Sequence, residues 1–202
     1  MVDACNSLAI PFVQISTDHY YDGDSSLLHD ECYPLKILNY YAKTKKDGED
    51  FALSYPGSLI LRTNITGFRK NNTGSSFVEW LIDSLLSSDS FPLFTDYYTS
   101  TIDCLSFCSI AYKLFSLSAS GIYNVASSQC LSKYEFGILF ARLAGLDSQH
   151  IRQEKASVLK TPRARSLGLN CTKTEKLLNI TMPTAVEVSS QLIAEAKSHG
   201  RI

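Results

Sequence analysis

The stretch Pro11-Phe12-Val13-Gln14-Ile15-Ser16-Thr17-Asp18, with Asn39-Tyr40-Tyr41-Ala42-Lys43-Thr44-Lys45 after it, decides the reading of this chain. Residues 11–15 are short, apolar and partly β-branched, as a buried strand of a parallel sheet is. Ser16, Thr17 and Asp18 then fall at the C-terminal end of that strand, where open α/β sheets carry their ligands. The segment from Asn39 to Tyr55 holds few breakers and reads as a helix. Tyr41 and Lys45 are four apart and share one face of it. A phenol ionises near pH ~10, and a neighbouring ammonium favours the phenolate. Such a phenol can protonate a carbonyl oxygen as hydride reaches the carbon, with a hydroxyl such as that of Thr17 holding the same oxygen. A Tyr-x-x-x-Lys pair alone is weak evidence, because most are a packed ring and a solvated charge.

The longer strings resemble the extended short-chain dehydrogenase/reductase family, and most closely its dTDP-4-dehydrorhamnose reductase and sugar-nucleotide branch. Phe12 to Asp18 is similar to the family strand that ends in Ser-Thr-Asp, and Tyr21-Asp22-Gly23 to the Phe-Asp-Gly that follows. Asn39 to Lys45, with Gly48-Glu49, is similar to Asn-x-Tyr-Gly-x-(Ser/Thr)-Lys-x-x-Gly-Glu. Leu59-Ile60-Leu61-Arg62-Thr63, Gly121-Ile122-Tyr123-Asn124-Val125-Ala126, Ser132-Lys133-Tyr134-Glu135-Phe136 and Pro162 to Leu169 continue the match in order. The resemblance implies an α/β fold: the C-terminal part of a Rossmann-like, doubly wound parallel sheet, plus a small α/β substrate-binding lobe. It implies reduction of a 4-keto sugar nucleotide by NADPH or NADH. Thr17, Tyr41 and Lys45 would be catalytic. Ser16 and Thr63, with Tyr41 and Lys45, would lie at the cofactor, and Asp18, His19 and Asn64 at the substrate sugar. His19 stands where rhamnose-type reductases usually carry a Tyr, and Asn64-Ile65-Thr66-Gly67 where they carry a Ser-Trp pair. Arg163 and Arg165 are candidates for phosphate contact or for solvated loop charges.

A chain of 202 residues with 45% hydrophobic and 19% charged residues suits one globular domain. The family resemblance implies a single reductase-like unit over 1–202, with the substrate lobe interleaved at about 69–94 and 127–202. A formal net charge of −1 leaves no basic footprint for nucleic acid. The six Cys form no Cys-x-x-Cys pair, and with no secretory signal in the sequence free thiols and a cytoplasmic location are expected. Cys104 and Cys108 could face a metal from one helix turn, but without nearby His they read as small core residues, and no metal is expected. No apolar run approaches a membrane span. Of the four His, His29 and His199 read as surface residues.

Further helices are expected at Ser76–Ser87, Asp103–Leu117, from Ser132 to Ala144, and at Asn170–Leu178 and Pro183–Ser198. Ser132 and Glu135 form a capping box, and Gly145 ends that helix. Trp80, beside Phe77, Leu81 and Leu85, reads as core. Strands are expected at Ser58–Arg62, Phe91–Phe94 and Gly121–Ala126. Residues 22–37 read as a polar loop, and 67–76 as a flexible loop that serves as a lid or a plain connection.

None of the ten Gly forms a Gly-rich phosphate turn, the usual seat of a dinucleotide pyrophosphate. By the resemblance, a first βαβαβ portion on the order of 80 residues is missing. The sheet is therefore expected to show an exposed apolar edge. The chain reads as a fragment of a reductase, as one of two polypeptides that complete the fold, or as an inactive remnant. Cofactor binding by it alone is expected to be weak or absent. The partners expected are a nucleotide-linked sugar and either a second copy or a complementing N-terminal polypeptide. The alternative is a non-catalytic sugar-nucleotide-binding or regulatory subunit.

Overall fold

The structure is a computed structural model that describes residues 2–23, 25–69, 74–158 and 163–202. In chain order the elements are α1 (Val2–Ser7), β1 (Val13–Ile15), β2 (Leu28–His29), α2 (Tyr40–Leu53), β3 (Leu59–Arg62), β4 (Ile65–Thr66) and α3 (Phe77–Leu86). They continue with β5 (Phe91–Phe94), β6 (Tyr98–Thr99), β7 (Ile102–Asp103), α4 (Cys104–Ser116), β8 (Gly121–Asn124), β9 (Leu131–Ser132) and α5 (Lys133–Ala144). The last are β10 (Ile151–Glu154), β11 (Ser166–Leu169), α6 (Thr172–Leu178) and α7 (Ala185–Ser198).

The sheet that carries the site is parallel, with order β1-β3-β8 and Ile15 opposite Leu61. Its middle strand β3 is buried at all four residues. The connection β1–α2–β3 is a βαβ unit, and α2 lies on both strands through Ala42 and Ala52. Small side chains there let the helix approach the sheet closely. Glu49 shares that buried face, and its carboxylate accepts from Arg62 Nε at 3.0 Å and Nη2 at 2.8 Å. Arg62 Nη1 also donates to the Tyr21 hydroxyl and the Glu31 carbonyl. This buried pair bolts α2 to the end of β3. Two charges taken out of water persist only with such complete hydrogen bonding.

A second set of strands, β2-β11-β6-β9, and the parallel pair β5–β10 lie outside that sheet. The helices at 77–86 and 133–144 begin with full capping boxes, Ser76 with Glu79 and Ser132 with Glu135. Gly145 closes the second in the left-handed conformation, φ 70°. α5 and α7 pack on each other, and α7 contributes Val188, Leu192 and Ala196 to the core.

Five expectations change. β1 is parallel as expected but not buried: among the described residues it pairs only with β3, and Val13 and Ile15 are 37% and 46% exposed. This is the exposed apolar edge that the sequence implied. His29 is not a surface residue. It is 1% exposed, stacks on Tyr21 at 4.3 Å between ring centroids, and Nδ1 lies 2.9 Å from the Gly168 carbonyl. Trp80 is 39% exposed because its ring edges a hollow rather than the core. Cys104 and Cys108 lie at the surface, since α4 buries Phe107, Ile110 and Leu114 instead. All six Cys are free. The segment 22–37 carries β2, which pairs with β11, a strand that periodicity did not reveal. The centre of the expected loop at 67–76, and Pro162, lie outside the described residues.

Candidate active site

Two strand ends and one helix start converge. β1 delivers Ser16, Thr17, Asp18 and His19 at its C-terminal end, and β3 delivers Thr63 and Asn64 beside them. Asn39 caps α2 by accepting from the Ala42 N–H at 2.9 Å, so Tyr41 and Lys45 stand on the first turns facing those strand ends. All eight candidate residues line one open cleft of about 260 Å³, together with Ile15 and Ile65.

Within it, the Lys45 ammonium donates to the Ile15 carbonyl at 3.3 Å and lies 6.0 Å from the centre of the Tyr41 ring. Tyr41 is 50% exposed and lines the cleft. The His19 ring meets Tyr41 edge-on, 5.4 Å away. Ser16 is turned inward. Its hydroxyl donates to Glu49 at 2.6 Å and meets the Tyr20 hydroxyl at 3.0 Å, tying the strand end to the Glu49–Arg62 pair. The Thr63 hydroxyl is buried with no partner among the described residues.

Asp18 is buried, 1% exposed, under the cleft. Its Oδ2 accepts from Asn64 Nδ2 at 2.7 Å. Asn64 Oδ1 accepts from Thr101 at 3.1 Å, and Thr101 meets Thr99 at 2.9 Å. Burial outweighs the Asn64 hydrogen bond and the Lys133 charge, and raises the Asp18 pKa to about 7. Burial, with the charges of Arg163 and Lys133, lowers the His19 pKa to about 4, so its ring is neutral.

Past His19 and Tyr41 the cleft opens into a space of about 440 Å³ bordered by Asn39, Tyr40 and Arg163. Arg163 also borders a hollow of about 460 Å³ walled by Phe77, Trp80, Leu93, Phe94 and Tyr97, with Lys133 at its edge. The Lys133 ammonium lies 4.4 Å from the centre of the Phe77 ring, and burial lowers its pKa to about 8. Arg165 faces elsewhere, paired with Asp96 at 3.2 Å. Lys133, Tyr97 and Thr101 were not singled out from the sequence. The Ser132-Lys133 start of a capped helix was visible, but its approach to Asp18 depends on the packing of distant segments. Among the described residues no group of three or more His, Cys, Asp or Glu could hold a metal ion. No helix among them is long and apolar enough to cross a membrane.

The sequence matches the RmlD substrate binding domain family over residues 1–197. A probable low-salt glycan biosynthesis reductase, Agl14 of Haloferax volcanii, is 26% identical over 185 residues, covering 89% of this chain and 62% of that protein. The methionine adenosyltransferase 2 subunit beta of Xenopus laevis is 28% identical over 179 residues, covering 82% of this chain and 52% of that protein. The chain thus spans between about half and two thirds of the length of these relatives. The structure of dTDP-4-dehydrorhamnose reductase from Bacillus anthracis in complex with NADP superimposes with a TM-score of 0.84 at 22% identity, covering 96% of this chain and 69% of that one. The fold is therefore that of the Rossmann-like reductases, and the chain belongs to the RmlD substrate binding domain family.

Proposed function

We propose that the cleft reduces the 4-keto group of a sugar carried on a nucleoside diphosphate, with NADPH or NADH, in deoxysugar and cell-surface polysaccharide synthesis. The observation that carries this reading is the gathering of all eight candidate residues around one cleft. The residues fit a nicotinamide cofactor. The unpartnered Thr63 hydroxyl and the Lys45 ammonium both border the space such a ring and its ribose would occupy. When bound, the reduced nicotinamide supplies a hydride to the carbonyl carbon. The Thr17 hydroxyl holds the carbonyl oxygen, and the Tyr41 phenol gives that oxygen its proton, so the product is an alcohol. Lys45 orients the ribose, its ammonium 6.0 Å from the centre of the Tyr41 ring. Arg163 and Lys133 offer positive charge to a diphosphate, and the aromatic hollow beside them suits a base.

The pyrophosphate of the dinucleotide needs backbone N–H groups that this sequence does not supply in a Gly-rich turn. A segment that pairs with the free edge of β1 would supply them, in a longer form of the chain or on a complementing polypeptide. The substrate lobe in this reading comprises about 69–94 and 127–202.

NADPH titration followed by fluorescence, made on the chain assembled with the segment that completes the β1 edge, tests the cofactor role. Lys45→Ala is expected to weaken binding roughly tenfold or more, the worth of a charge-assisted hydrogen bond. Unchanged affinity in that variant would remove Lys45 from the cofactor site. The similarity to a methionine adenosyltransferase subunit favours a second reading, a non-catalytic binding or regulatory subunit. A stable complex with another polypeptide, with sugar-nucleotide binding but no NADPH oxidation, would select it.

A further inference from the structure

The hydrogen-bond chain behind the cleft has a direction. Thr101 gives its proton to Asn64 Oδ1, so it accepts from Thr99, and Asn64 is left to donate from Nδ2 to Asp18 Oδ2. Oδ2 is thereby fixed as an acceptor. A proton on the Asp18 carboxyl belongs on Oδ1, which lies 3.4 Å from the Thr17 hydroxyl. That hydroxyl oxygen already accepts from the His19 backbone N–H at 3.2 Å. With Asp18 ionised, Oδ1 is the acceptor that the Thr17 hydroxyl has among the described residues, and the hydroxyl proton points at it. With Asp18 protonated, Oδ1–H donates to Thr17. Both lone pairs of the Thr17 oxygen are then occupied, and its own proton can only turn outward into the cleft.

We propose that Asp18, held by Asn64, is the positioning residue of this site: its protonation turns the Thr17 hydroxyl into a hydrogen-bond donor toward the ligand. This rests on the proposed reductase reading only for what the donor serves, namely the carbonyl oxygen of the substrate. The groups facing Asp18 are the neutral His19 ring, 3.8 Å from Oδ1, Asn64 after β3, the Lys133 ammonium on α5, and the Tyr97 hydroxyl and Cys130 thiol near by. Lys133 is the cation among them, and it favours the ionised carboxyl. A carboxyl that titrates at about 7 lets the hydroxyl change direction near neutrality.

The test is nuclear magnetic resonance on the whole chain, following the Asp18 carboxyl and the Thr17 methyl resonance as pH is raised. Both are expected to move with one midpoint, and the Thr17 signal is expected to stay still in Asp18→Asn. The amide in that variant donates to Thr17 permanently. Lys133→Met removes the nearby cation and is expected to move the shared midpoint upward. A Thr17 signal that ignores the Asp18 titration in the unaltered chain overturns the proposal and needs no variant. In parallel, calorimetry with dTDP-4-dehydrorhamnose is expected to show affinity falling roughly tenfold between pH ~6 and ~8, as a site that must be protonated at about 7 requires. In Asp18→Asn the affinity is expected to be flat over that range. Affinity in Asp18→Asn that still follows the pH dependence of the unaltered chain also overturns the proposal. If Asp18 and Thr17 titrate together but dTDP-4-dehydrorhamnose binds at no pH, the positioning role stands and that substrate is removed from the reductase reading.

Discussion

Asp18 holds a carboxyl where little water reaches it, and one good hydrogen bond from Asn64 does not offset that burial. Its folded pKa of about 7 lies above the ordinary value near 3.8, so the folded state binds more protons than the unfolded state between those values. Stability therefore declines as pH rises through that window, and the loss is complete above the folded value. Asp18→Asn keeps the shape without the charge. Thermal melts are expected to place the variant above the unaltered protein at pH ~8 and level with it or below at pH ~4. An equal offset at both pH values would show that Asp18 does not titrate in the folded state. The sequence marked this residue through its Ser-Thr-Asp string, yet gave no sign that the carboxyl lies beneath the cleft. That depends on Asn64 and Thr101, which the fold brings in from β3 and from the turn before β7. His29 was misread for the same reason. Its partner Gly168 is far along the chain, and a His in a polar stretch carries no trace of it.

The helix α2 and the strand β3 were legible because each carries a local signal. Asn39 is a cap, Ala42 and Ala52 mark a close-packed face, and Leu59-Ile60-Leu61 is a continuous apolar run. Arg62 ends that run, and a guanidinium on a buried strand requires a carboxylate, which Glu49 supplies from the buried face of α2. Glu49→Ala is expected to cost about 3–5 kcal/mol in urea unfolding, because it strands Arg62 without its partner. A loss well under 1 kcal/mol by that standard would mean that water replaces the carboxylate. Short strands were less legible, since two-residue ladders such as β2 and β4 have no period to read. β11 is held by contact instead. A Cβ at Gly168 would collide with the Leu27 carbonyl oxygen, so the chain entering β2 can approach only a glycine there. Gly168→Ala is expected to destabilise by about 1–3 kcal/mol, read from the unfolding midpoint, as β2 is pushed away. A neutral substitution would show that β2 shifts at no cost.

At the scale of the molecule, the parallel sheet ends at β1, whose outer edge is unpaired among the described residues and exposes Val13 and Ile15. The surface continues past Val13 to Phe115 around a shared hollow of about 190 Å³. An apolar strand edge of this kind recruits another strand. The chain is expected to self-associate as its concentration rises in light scattering, and Val13→Lys is expected to suppress that association. A monomer at every concentration would contradict the reading of the edge as a docking strand. The same edge links architecture to chemistry, because β1 ends in Ser16-Thr17-Asp18 and whatever pairs with it borders the cleft. The most direct measurement is NADPH oxidation with dTDP-4-dehydrorhamnose, made on the chain assembled with whatever segment completes the β1 edge, alongside Tyr41→Phe. Turnover is expected to fall roughly 10²–10⁴-fold in the variant, the usual worth of a general acid, with folding unchanged. Turnover that stays within about twofold would contradict the assignment of proton transfer to Tyr41, and with it the reading of this cleft as a carbonyl-reducing site.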